Sequence, residues 1–276
     1  MKAKRTRFDN LAWTTTAIAL VAVLAAPATA QRSDDEWLDD CERERDDRYS
    51  YCDVRVERLG ASSALRIDAG QNGGIEVIGQ NRTDIEVHAR IRAQARSSTV
   101  AREIGESIRL QLDSRTLTAD GPSTDRNESW YVSWVVYVPE RIDLDLEANN
   151  GPVGVTDVAG RIAASTRNGP LSLRNLAGEV RARTENGPLS VDLAGSRWDG
   201  EGLDAETRNG PVTLRIPDGY SAELETGTVN GPFQSDVPLT VTRLSRRSMR
   251  VETTLGGGGP LVRAVTTNGP VTIRGS

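Results

Sequence analysis

Residues 165–191 read STRNGPLSLRNLAGEVRARTENGPLSV and contain Asn-Gly-Pro twice. The same triplet begins at Asn150, Asn168, Asn186, Asn209, Asn230 and Asn268, at steps of 18, 18, 23, 21 and 38 residues. Repetition at such a period marks a stack of similar supersecondary units, because no single unit of that size buries its own apolar face. Each unit reads alike. After the proline comes a short alternating strand (Val153/Val155, Leu171/Leu173, Leu189/Val191, Val212/Leu214, Val271/Ile273), then an Ala-Gly turn at 159, 177 and 194, then a strand returning to the next asparagine.

Phase along the returning strand defines the core. Six residues before each asparagine stand Leu144, Ile162, Val180, Leu203, Leu224 and Val262. Four before stand Leu146, Ala164, Ala182, Ala205, Thr226 and Ala264, and two before stand Ala148 followed by five threonines. Strand side chains alternate faces with period two. The asparagines share the parity of the apolar positions, so they are expected to point inward at a corner and to stack there as a ladder of identical amides.

Asn-Gly between alternating strands is also a hairpin signal. The proline opposes it, since the residue after the glycine would have to donate the N–H that closes a two-residue turn, and proline has none. The expectation is therefore an all-β chain forming a single β-solenoid of stacked coils of 18–23 residues over residues 61–276. The 38-residue step reads as two coils whose shared corner, near residues 245–248, lacks the triplet, and GGGG at 256–259 reads as a widened corner. Residues 64–95, with Asn72-Gly73-Gly74, supply the first coil. Residues 97–108 have helix spacing, and SWYVSWVVYV at 129–138 is apolar on both faces, as suits a strand covered by that helix. The stack is expected to end on Val271 and Ile273, leaving an edge that is either sheltered or available for self-association.

The N-terminus carries Lys2, Lys4, Arg5 and Arg7 before a largely apolar stretch that ends in APATA at 26–30, the pattern of a cleaved export signal over residues 1–30. Its apolar run is short of the roughly 20 residues that span a bilayer. Removing the segment takes the formal charge from −5 to −8, which argues against nucleic acid and anionic lipid as partners. Residues 31–60 read as an acidic leader. Cys41 and Cys52 are the whole cysteine supply, and a disulfide between them suits an oxidising compartment. A straight helix would hold them about 16 Å apart, so a turn or hairpin is expected between them. Two thiols and one distant histidine do not assemble a zinc site, and no cofactor motif is present.

The export segment, the paired cysteines, the Asn-Gly corner preceded by threonine, ESWYVSW at 128–134 and TTLGGGGPL at 253–261 together resemble the putative-adhesin family of bacterial envelope proteins. The resemblance spans about residues 41–273 and implies an exported β-solenoid with no catalytic residues to carry over. The family often has Gly where this chain has Pro after Asn-Gly.

Three features compete for a functional role. Asp204 and Glu206 point outward on one strand about 7 Å apart, a spacing open to acid–base work, yet the preceding coil presents Arg181 and Arg183 at the same positions. A ladder of opposite charges accounts for that pattern. His88, the only histidine, alternates outward and reads as a surface strand residue. Trp198, in the SRWDG insertion of the longer coil, is an exposed-looking aromatic and the speculative binding residue, with folding back over the coil edge as the alternative. The sequence thus points to an exported, periplasmic or surface-located, non-catalytic protein that binds an envelope glycan or protein or acts as a scaffold. The alternatives are a carbohydrate-active enzyme and a periplasmic sensor or accessory module.

Overall fold

The computed structural model describes residues 33–43, 48–113, 115–239, 242–243 and 248–275. The chain divides into Met1–Ser33 and Asp34–Ser276, and the second unit carries the fold. The expected export segment, residues 1–30, lies outside the described residues.

Among the described residues the strands form two large mixed sheets, one of ten strands and one of eleven. Each Asn-Gly-Pro hands the chain from the eleven-stranded sheet to the ten-stranded one. Ala177–Asn186 lies in the former and Leu189–Asp192 in the latter. Pairing in the repeats is parallel and in phase, with Val180 opposite Ile162 and Leu203, and Leu171 opposite Leu189. The apolar positions inferred from parity form one core between the sheets: Leu144, Ile162, Val180, Leu203, Leu224 and Val262 are all at most 3% exposed.

Strand order overturns the single β-solenoid. A solenoid lays each coil on the one before it, whereas here Leu261–Asn268 sits between Gly202–Asn209 and Ala222–Asn230, and Val271–Gly275 sits between Val212–Ile216 and Phe233–Ser235. Antiparallel pairs flank the parallel part: Ile85–Ala95 pairs with both Tyr49–Leu59 and Ser129–Pro139, and Met249–Leu255 runs back along Ala222–Asn230. The result is sandwich-like, two mixed sheets facing across a common core. The cause lies in the 38-residue step. Met249–Leu255 doubles back instead of starting a coil, and the glycines at 256–259, two of them with φ of 53° and 74°, reverse the chain again so that the last strands enter in parallel. The four glycines are therefore a chain reversal and not a widened corner, while residues 245–247 of the expected missing corner lie outside the described residues. The C-terminal strands are interior in both sheets, so Val271 and Ile273 take the sheltered alternative, covered by Phe233–Ser235 and not by helix α2.

The acidic leader is likewise revised. Helix α1 (Asp34–Arg43) carries Cys41, and Tyr49–Leu59, which carries Cys52, is one of the two edge strands of the ten-stranded sheet. The Cys41–Cys52 disulfide staples the helix to that strand, with the Cα atoms 6.3 Å apart. Helix α2 (Ser98–Ser107) forms where the spacing predicts it, and its Ala101 and Ile104 pack on Ala93 and Ala95 with Tyr51 and Trp130 alongside.

Candidate functional site

The repeated corners build the most regular feature of the surface. Each asparagine Nδ2 donates to the Oδ1 of the neighbouring corner: Asn150 to Asn72 at 3.2 Å, Asn168 to Asn150 at 2.7 Å, Asn186 to Asn168 at 2.8 Å, Asn209 to Asn186 at 2.9 Å, Asn268 to Asn209 at 2.8 Å and Asn230 to Asn268 at 2.9 Å. The ladder exists, but its position differs from the expectation. All six triplet asparagines are exposed. They share the core's parity but stand beyond its rim, where no second layer covers them.

The buried groups of the corner are the threonines two residues earlier. Thr166, Thr184 and Thr207 each donate their hydroxyl to the carbonyl of the glycine in the neighbouring corner, at 2.8–3.0 Å. This predicts an inversion of the simple ranking. Thr184→Val, which keeps the shape and leaves the Gly169 carbonyl short of a donor, is expected to cost about 1–3 kcal/mol. Asn186→Ala, at a solvated position, is expected to cost less than about 1 kcal/mol. Urea midpoints of the two variants decide it, and a larger loss for the asparagine variant would show the amide ladder to be the stronger element.

Outward from the eleven-stranded sheet, arginines and carboxylates alternate across strands. Arg66 bonds both Asp145 and Glu147 at 2.7 Å. Asp204 and Glu206, the acid pair singled out in the sequence, are brought together with arginines on both sides: Asp204 pairs with Arg183, and Arg263 Nη1 reaches Asp204 at 2.7 Å and Glu206 at 3.2 Å. Burial pushes the Asp204 carboxyl up, but the hydrogen bonds and charges of Arg183 and Arg263 outweigh it and hold the group below its ordinary 3.8. A carboxylate fixed in its charged form by two guanidinium groups is a poor proton donor. The arrangement fits the charge ladder.

A depressed pKa in the folded state contributes stability that is present above the unfolded value and lost as pH falls through the folded one. The stability difference between the parent and Asp204→Asn is therefore expected to be present at pH 6 and to shrink below about pH 3.8. Thermal midpoints of both proteins across that range measure it. A difference that grows on acidification would contradict the pairing.

His88 is not a free surface residue. Its Nδ1 lies against Asp34 of α1, its Nε2 is 3.0 Å from Glu86, and its ring meets Tyr137 edge-on at 5.3 Å. Arg90 Nε donates to Asp34 at 2.8 Å. Burial raises the Asp34 carboxyl, and the bonds from His88 and Arg90 more than offset that, leaving its pKa lowered. The histidine thus helps to seat α1. Trp198 takes the folded-back alternative and not the binding one: it is 2% exposed, belongs to the core, and donates its Nε1–H to the Gly178 carbonyl at 3.0 Å. It presents no binding surface.

What the surface does offer is a shallow groove of about 750 Å³ beside the corners. It crosses five strands, about 20 Å at the usual strand spacing. Its walls are the residues one and three places before successive asparagines, among them Glu147, Asn149, Arg167, Arg183, Glu206 and Arg208. Parity carried the signal for these residues, since odd offsets from the asparagine face outward. Among the described residues no group of three or more His, Cys, Asp or Glu side chains is placed to hold a metal ion.

No protein-family model matches the chain, and no curated protein does. Solved structures do show similarity. The chain is similar to a putative cell adhesion protein from Clostridium sporogenes (10% identity, 82% of this chain and 100% of that one, TM-score 0.42). It is similar to a putative adhesin from Bacteroides fragilis (12% identity, 81% and 97%, TM-score 0.36). It is also similar to a putative lipid binding protein from Parabacteroides distasonis (10% identity, 80% and 96%, TM-score 0.27). At these scores none of the three assigns a role to a residue of this chain.

Proposed function

We propose that the protein is an exported, non-catalytic envelope protein that binds or scaffolds an extended polar polymer, a glycan or a protein segment, through the groove beside the asparagine corners. The observation that carries this reading is the groove itself. It is open, crosses five strands, and carries both signs of charge on a rigid backbone, which suits a flexible chain laid across the strands better than a small substrate enclosed for chemistry. The arginine partners of Asp204 and Glu206 support binding over hydrolysis. The Cys41–Cys52 disulfide supports an oxidising compartment. Among the described residues no helix is long and apolar enough to cross a membrane.

The test is fractionation of the full chain in a bacterial host, followed by retention on isolated envelopes. The protein is expected outside the cytoplasm, and Arg167→Glu with Arg208→Glu is expected to weaken retention about fivefold. Accumulation in the cytoplasm, or retention indifferent to the groove, overturns the reading. Release of soluble sugar from the envelopes by the wild type but not by Asp204→Asn would favour a carbohydrate-active enzyme instead.

A further inference from the structure

A second cavity, of about 650 Å³, opens where the turn at residues 68–72 meets the loop at 121–128. It shares Asp68, Gly70 and Gln71 with the groove, so the two adjoin at that turn. Its volume lies within the usual range for small-molecule sites, and its lining differs from the rest of the surface. Three carboxylates, Asp68, Asp120 and Glu128, face it together with Trp130, Tyr131 and Gln71, and no arginine or histidine is among its lining residues. Elsewhere the described carboxylates commonly share arginines: Asp145 and Glu147 with Arg66, Asp192 with Arg174 and Arg215, Asp204 with Arg183 and Arg263. Arg48 reaches the pocket's rim, where its Nη1 donates to Ser129 Oγ at 3.4 Å.

The three acids hold single neutral donors. Asp68 accepts the Gly70 N–H at 2.8 Å, Glu128 accepts the Asp125 N–H at 3.2 Å, and Asp120 accepts the Gln111 side-chain amide. Each ionised carboxylate offers about four acceptor positions, so most of their capacity faces the cavity or solvent. The aromatic wall is fixed. Trp130 Nε1 donates to the Pro122 carbonyl at 2.9 Å, and Gly121 lies so close that a Cβ there would come within 2.5 Å of the indole.

Carboxylates lining a cavity without a local base, Asp68 and Glu128 half-buried and Asp120 exposed, favour a cation. A fixed indole favours the C–H face of a sugar ring or an ammonium over it. The Gln71 amide supplies a partner for hydroxyl groups. We propose that this pocket binds a saccharide bearing a free primary amine, its ammonium at the carboxylates that line the cavity and its ring against Trp130. The assignment deepens the envelope-binding reading and rests on it for the source of the saccharide.

Calorimetric titration of the purified full chain tests it with three probes: a chitosan tetramer, the fully N-acetylated tetramer, and tetralysine. The chitosan tetramer is expected to bind, with the acetylated one about tenfold weaker or more. Asp120→Asn with Glu128→Gln, isosteric and on partly solvated side chains, is expected to weaken chitosan binding about tenfold while the thermal midpoint stays unchanged. If that double variant is destabilised, Trp130→Phe and the comparison of the two tetramers on the wild type decide the matter. Absence of chitosan binding up to about 10 mM, or equal binding of the acetylated tetramer, overturns the proposal. Tetralysine binding as tightly as chitosan overturns its saccharide part. Because the titration is done in solution, its outcome is separate from that of fractionation: chitosan binding by a cytoplasmic protein would sink the envelope reading and leave the pocket assigned.

Discussion

Gly187→Ala is expected to abolish folding or to cost about 3 kcal/mol or more, the upper end for forced overpacking. The reason is distance and not dihedral freedom. A Cβ on Gly187 would stand 2.0 Å from the Gly169 carbonyl oxygen, and the neighbouring corners repeat the geometry: Gly169 against Gly151, Gly210 against Gly187, Gly269 against Gly210 and Gly231 against Gly269, each at 2.0–2.1 Å. The atom met is backbone in every case. Moving it would shift a carbonyl that also accepts the buried hydroxyl of Thr184. The glycine of the triplet is thus required by the closeness of successive corners, while the proline leaves its carbonyl to accept from the neighbouring unit, as Leu171 N–H to Pro188 O at 2.9 Å shows. Gly154→Ala is the control. Its Cβ would meet only the Ile75 carbonyl, at 3.9 Å, and the change is expected to stay within about 0.5 kcal/mol. Urea unfolding of the two variants reads the contrast, and an alanine tolerated at 187 would falsify the close-corner account.

Much of this fold was legible because the repeat states it many times over. Parity alone identified the buried residues of the returning strands and the outward charges around Asp204, and helix spacing identified the position of α2. It did not reveal which unit lies beside which. Units with threonine two before the asparagine, a small residue at four before and an aliphatic at six before are interchangeable partners in a parallel ladder, so Leu261–Asn268 matches Gly202–Asn209 as well as it matches Ala222–Asn230. The strand took a place between them because both sides there offered backbone partners, a non-local outcome that no local pattern encodes. Parity also failed to place the asparagines. It tells which side of the strand a residue faces but not whether the core still extends beneath it, and at the corners the core has ended. The groove was half legible: its walls sit at predictable odd offsets, but its joining to the pocket at Trp130 depends on the 121–128 loop, whose course follows from no repeat.

Trp198→Ala is expected to destabilise the protein by about 3–5 kcal/mol, a drop of roughly 6–20 °C in the thermal midpoint for a domain of this size. The insertion that contains it looked like an added surface loop because SRWDG lengthens one unit in a chain poor in aromatics. In the folded protein those residues close the edge of the core. Arg197 makes an isolated parallel bridge to Ser221, the Gly178 N–H donates to the Asp199 carbonyl at 2.7 Å, and the indole enters the same apolar cluster as Val180, Leu203 and Tyr220. Tyr220 shows how dry this corner is, since burial alone pushes its phenol up to about 12. Truncation to alanine removes the largest side chain of that edge, opens a cavity bounded by backbone that is tied on both sides, and strips the Gly178 carbonyl of its indole donor. The two losses can be separated. Trp198→Phe retains most of the volume but not the N–H, so it is expected to lose about 1–3 kcal/mol, the cost of an unmet buried acceptor, with alanine falling well below it. Equal losses for the two variants would place the whole effect on the hydrogen bond. A Trp198→Ala protein with an unchanged midpoint would instead return the indole to the surface role that the sequence suggested.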